Sequence, residues 1–115
     1  MATVNMTIVT LDAANVEGRY AYEYEQTLDA AGDGDWILIP ADVVTVVVTC
    51  QASGTTAKVQ TTTDTIAAIT AGTETAVDWD DGAVSTATSA ACTPPTALRL
   101  VQVGAGSSKL TVRAQ

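Results

Sequence analysis

The groups in this 115-residue chain whose type and spacing invite chemistry are carboxylates and thiols: Asp29, Asp33 and Asp35 in one Gly-containing turn, Asp78, Asp80 and Asp81 in a second, and Cys50 and Cys92. Turns rich in oxygen donors can wrap a hard cation. The calcium-loop pattern asks for acids at alternating positions, a Gly at the sixth and a bidentate Glu at the twelfth, and Asp78-Trp79-Asp80-Asp81-Gly82 supplies only fragments of it. Solvated turn residues are the favoured reading, with Asp33, Asp35, Asp78 and Asp80 as the calcium candidates. Paired acids about 5–10 Å apart across a cleft also run glycoside hydrolysis. A thin β-protein offers little cleft, so no catalytic residue is assigned. The absence of His removes the usual triad base, metal ligand and pH switch together, so a non-enzyme without a cofactor is expected. Two cysteines are too few for a disulfide framework; free buried thiols are expected, with a single bridge as the alternative.

Charge narrows the partners. Thirteen acids against five bases give a net charge of −8, which repels phosphate. The bases Arg19, Lys58, Arg99, Lys109 and Arg113 are scattered rather than massed, so nucleic acid is not expected as a partner. No segment approaches the ~20 apolar residues of a membrane span, and the first residues carry no basic stretch before an apolar run. Synthesis in the cytosol, without a membrane, is therefore expected.

The elements that must position these residues are strands. Thr, Val and Ala dominate, whereas helix-forming Leu, Glu, Lys and Arg are thin. Arg19 to Leu28 alternates, with Tyr20, Tyr22 and Tyr24 on one face, a ladder that serves either cross-strand packing or contact with a partner. Trp36 to Ile39 is a short strand stopped by Pro40, and Val43 to Cys50 reads as a central strand covered on both faces. Thr56 to Thr62 follows as its hairpin partner. Thr65 to Thr70 fits a helical turn or a short strand equally. Ala97 to Val103 and Lys109 to Arg113 read as a closing hairpin with Leu98, Leu100 or Val101, Leu110 and Val112 inward and the bases outward. Eight or nine short strands with regular turn signals predict one antiparallel β-sandwich over 1–115, jelly-roll or Ig-like. Asp35-Trp36 and Asp78-Trp79 echo one another at 43 residues, with Cys50 and Cys92 following 14 and 13 residues after the Trp. Two copies cannot close a propeller, so the echo reads as coincidence or as two related sheet halves.

Thr-rich strand faces with few charged gatekeepers leave edges that a monomer would have to protect, and assembly would protect them. With the strands placed, the run Gly34-Asp35-Trp36-Ile37-Leu38-Ile39-Pro40, the Val/Thr strand after it, Gly54 to Gln60, Trp79 to Val84, Pro95 to Val101 and the ending Leu110 to Gln115 resemble the small structural proteins of tailed bacteriophages. The resemblance covers about 80 residues as a pattern of strands and turns, and leaves 1–28 as either a binding arm or two more strands. It implies a virion component, foremost a capsid decoration or cement protein that assembles in the host cytoplasm. Such a protein binds the major capsid protein on the outer shell and associates with itself, a trimer being expected. Tyr20, Tyr22, Tyr24, Arg99 and Arg113 are the contact candidates. The alternatives are a tail, neck or fibre component, or a carbohydrate- or calcium-binding module using an exposed Trp36 or Trp79 as its platform.

Overall fold

The computed structural model describes residues 3–10, 20–80 and 82–115; the side chains of residues 8–10, 20 and 21 lie outside that description. In chain order the elements are β1 (Thr3–Asn5), β2 (Thr7–Thr10), β3 (Tyr20–Leu28), β4 (Gly32–Asp33), β5 (Trp36–Leu38), β6 (Val46–Ser53), β7 (Ala57–Thr62), α1 (Ile66–Ala71), β8 (Val77–Asp78), β9 (Ala87–Cys92), β10 (Ala97–Gln102) and β11 (Ser107–Ala114). A front sheet runs β1-β5-β10-β7-β8, with β4 also on β10, and a back sheet runs β2-β3-β11-β6-β9. Only β1 on β5 is parallel among the described pairs. The expected all-β sandwich is therefore the fold. Strands β5-β10-β7-β8 facing β3-β11-β6-β9 give the jelly-roll order, with β1 and β2 added at one flank. The described parts of 1–28 are strands.

Three local expectations change. The Val43 to Cys50 run, expected to be covered on both faces, enters β6 only at Val46 and buries one face alone, with Val47 on the other face 42% exposed. Neither β6 with β7 nor β10 with β11 is a hairpin, since each pair is split between opposing sheets. Alternation fixes which face of a strand is inward but not which neighbour it bonds, and each short turn here carries the chain across the sandwich. Gly106 makes the second crossing possible: its φ is +128°, and a Cβ there would lie 2.8 Å from the Ser53 carbonyl oxygen. The ambiguous segment is α1, opened by the Thr65 hydroxyl accepting from the Ala68 amide and closed by Gly72 in the left-handed region.

Register explains the core. Across the back sheet the inward rows read Tyr22, Ala114, Val46, Cys92; then Tyr24, Val112, Val48, Ala90; then Gln26, Leu110, Cys50, Thr88. Each row starts with a large side chain on β3 and ends with a small one on β9. Ile37, Val59, Leu98 and Leu100 of the front sheet meet the middle of these rows and are fully buried. A second, smaller core lies on the outer side of the front sheet, where Ile69 of α1 packs on Trp36 and Ala97.

Candidate functional site

Tyr22 and Tyr24 turn inward and pack against the main core, so their ring area goes to the chain's own interior. The Tyr22 hydroxyl donates to Asp42, 3.0 Å from its nearer oxygen. Tyr20 joins the ladder through its backbone pairing with Thr10, but its side chain lies outside the described residues. Arg113 is exposed on the outer side of β11, opposite Glu23.

Arg99 corrects the expectation that the basic residues of β10 and β11 point to solvent. It is 7% exposed. Its guanidinium carbon lies 4.4 Å from the centre of the Trp36 ring, and Nε and Nη2 donate to Gln60 Oε1 at 3.0 and 2.8 Å. Nη2 also lies 3.5 Å from Asp33. Trp36 in turn donates from Nε1 to Glu74 at 2.8 Å. That bond, with the Arg99 charge as a lesser contribution, holds the Glu74 carboxyl below the usual glutamate range. The cation is stacked and hydrogen-bonded, which is how a buried guanidinium is tolerated. Trp36 is fully buried and offers no sugar platform.

The two acidic turns each send one carboxylate to a shared network on the outer face of the front sheet, since Arg99 and Asp78 both bond Gln60. Asp33 faces Arg99, whereas Asp78 accepts from Lys58 at 3.2 Å and from Gln60 at 3.1 Å, which lowers its carboxyl. Among the described residues, no three His, Cys, Asp or Glu side chains converge as a metal set; Asp81 lies outside them. Asp29, Asp35 and Asp80 are exposed. Cys92 sits opposite Val46, four residues along β6 from Cys50, or about 13 Å at strand rise, too far for a bridge. Both thiols are free. Burial pushes Cys50 up to about 11 and raises Cys92 as well, so both are poor nucleophiles.

The surface left open is the β8–β9 flank. β8 has two residues and β9 has six, so the inward row of β9 finds little opposite it. Thr88, Ala90 and Cys92 are only partly covered, although Val46, Val48 and Cys50 beside them on β6 are fully buried. A cavity of about 440 Å³ opens there. Its floor is Val48, Val59 and Leu98, its walls include Ala90, Cys92 and Trp79, and Asp78 and Asp80 stand at its rim. Trp79 is half-buried, with Nε1 donating to the Gly82 carbonyl at 3.0 Å. β9 ends its sheet, and residues 83–96 contain no charged side chain.

These features define a jelly-roll sandwich with one open flank. No family model and no curated protein matches the sequence. Among solved structures, a chain from the Bacillus endospore appendages, a family of disulfide-linked pili, superposes with a TM-score of 0.51 at 16% identity, covering 100% of this chain and 94% of that one. PliG of Aeromonas hydrophila, a periplasmic inhibitor of g-type lysozyme, covers 99% of this chain and all of its own at 14% identity, with a TM-score of 0.41. The first is a likeness of fold alone, and the second is too distant to carry an argument.

Two features escaped the sequence reading. Gln26, buried between the sheets where it accepts from the Leu100 amide and donates to the Asp35 carbonyl, was signalled by a polar residue falling in the inward register of Tyr22 and Tyr24. The open flank was signalled by the run of small residues in β9, which the sequence divides between a strand over Ala83 to Thr88 and a loop or edge over Ser89 to Pro95, whereas the strand runs Ala87–Cys92.

Proposed function

We propose that this chain is a non-enzymatic virion structural protein of a tailed phage, a decoration protein that seats on the outer shell by binding the major capsid protein. The observation that supports this reading is the β9 edge: six residues of Ala, Thr, Ser and Cys, uncharged and at the end of a sheet. A monomer living alone blunts such an edge with charge, proline or a covering element. Here the nearest prolines, Pro94 and Pro95, come only after the strand has ended. Jelly rolls recur in viral shells and also in lectins, so the fold class agrees without deciding. The pilus likeness concerns a fold that also serves in an extracellular assembly, and it adds no partner.

The test is sedimentation of the purified chain with capsids of the phage that encodes it, prepared without this protein. Saturable pelleting at a fixed ratio to the capsid subunit is expected, with mass spectrometry finding the chain in intact virions. A chain that stays in the supernatant and is absent from virions overturns the proposal; one found in tails but not on heads moves it to a tail or neck component.

A further inference from the structure

The β8–β9 flank combines three things that a partner strand needs. β9 offers a sheet edge for main-chain pairing, and the cavity beside it offers an apolar hole between the sheets. Asp80 is exposed at the rim, with no cation set against it among the described residues, whereas Asp78 is already engaged by Lys58 and Gln60. At about 440 Å³ the hole lies within the ~300–1,000 Å³ range of pockets that hold small molecules, and it is floored by residues that are otherwise core. We infer that this mouth receives an extended segment of a partner protein, which adds to β9 as a further strand, lowers one bulky apolar side chain into the cavity and sets a Lys or Arg against Asp80.

Charge decides between a foreign partner and a second copy. A second copy brings its own net charge of −8 and the same acidic rim. Among the described residues, the strands at its other flank supply no cation either, β1 and β2 reading Thr-Val-Asn and Thr-Ile-Val-Thr. An apolar, basic strand meets all three features at once, with backbone pairing giving affinity and the alternate side chains giving specificity. The identity of that partner as the shell protein rests on the function proposed above; the chemistry of the seat does not.

The probe is a capped peptide, Thr-Lys-Val-Leu-Val-Lys-Thr, titrated into the isotope-labelled full chain and followed by amide resonances, beside the same peptide with Glu for both Lys. Shifts confined to residues 77–80 and 87–94 are expected, with the Glu peptide at least tenfold weaker and Asp80→Lys weakening the basic peptide by a similar factor. Ala90→Leu, which fills the cavity from within, should remove binding while the chain stays folded. Absence of shifts at millimolar peptide, shifts elsewhere, or a doubling of mass through β9 without peptide would overturn the inference. In the capsid assay the outcomes separate: wild-type chain that pellets together with an Ala90→Leu chain that pellets equally well refutes the seat and spares the role. Peptide binding at the mouth by a chain that never pellets does the reverse.

Discussion

The strands that flank the β10–β7 pair in the front sheet are both interrupted, and the molecule treats the interruptions in opposite ways. On the β3 side, β4 and β5 are successive pieces against β10, separated at Gly34 and Asp35. Gln26 crosses from the back sheet into that break. Its Oε1 accepts from the Leu100 amide at 2.9 Å and its Nε2 donates to the Asp35 carbonyl at 2.9 Å. The fit admits no side chain at Gly34, where a Cβ would lie 2.1 Å from Gln26 Oε1. On the other side, β8 meets β7 for two residues, the chain leaves at Asp80, and it returns where Val84 and Ala57 exchange hydrogen bonds of 2.9 and 2.7 Å. The β9 side chains in these rows, Thr88, Ala90 and Cys92, are shorter than Tyr22, Tyr24 and Gln26 at the other end. One flank is filled by its own chain, and the other is left for something else to fill.

The 43-residue echo acquires a meaning in this frame. Asp35-Trp36 and Asp78-Trp79 mark the two interrupted strands, but the rings take opposite faces. Trp36 turns outward beneath α1, where it is fully buried against Ile69 and Ala97, and Trp79 turns inward at the open mouth. Breaking the sealed side should therefore cost far more than changing the open one. Trp36→Ala is expected to destabilise the chain by about 3–5 kcal/mol, because it removes the centre of the second core and the ring on which Arg99 rests. A shift of the urea midpoint at unchanged m-value measures it.

Gln26→Ala tests the plug itself. Two backbone groups lose their partner in a buried place, at a cost of about 2 kcal/mol. Native-state hydrogen exchange should locate the damage at the Leu100 amide, while the β8–β9 flank keeps its exchange rates. Loss of protection spread evenly over both flanks would mean that the two sides do not act as separate local units.

Ala90→Leu should act in the opposite direction. A side chain added to a mouth lined by Val48, Val59 and Leu98 gains burial without displacing core, and stabilisation of about 1 kcal/mol is expected from the same urea measurement. The same enlargement at Ala114, fully packed in the row beside it, should destabilise by overpacking. A destabilising Ala90→Leu would mean that the cavity is closed in solution by movement of the β8 turn.

What the sequence could and could not disclose follows from these particulars. Alternation in β3 and β11 is strong because each has one face on the core, so the sandwich, and the inward placing of Leu98, Leu110 and Val112, were legible; the Val run of β6 hides its single core face, because valine fills its outer positions too. Pairing partners were not, because a period of two says nothing about whether the next strand lies beside or opposite, and both expected hairpins were lost on that point. Arg99 misled for a related reason: β10 is buried on both faces, and the cover on its outer face comes from α1 and the segment after it, from residues distant in sequence. The open flank depends on β8 being shorter than β9 in three dimensions, which no single segment records.

The smallest expected effect concerns the cover over Trp36 and has a definite sign. Glu74 holds the loop after α1 to the front sheet by accepting from the indole, and its folded-state carboxyl titrates below its ordinary value of 4.5. A group depressed on folding contributes stability that is fully present above its unfolded value and is lost as pH falls through the folded one. Wild-type stability should therefore slope downward below about pH 4.5, with part of that slope due to Glu74. Glu74→Gln keeps an oxygen to accept from Trp36 but cannot titrate, so it should flatten that part of the slope and leave neutral-pH stability nearly unchanged. Asp78→Asn, acting at the open flank where Lys58 and Gln60 depress the carboxyl, supplies the comparison. If both flanks behave as separate units, exchange protection in acid should fall near Trp36 in one case and near β8 in the other. A Glu74→Gln chain with the full wild-type acid slope would assign that slope to other carboxylates and reduce the Trp36 contact to packing alone.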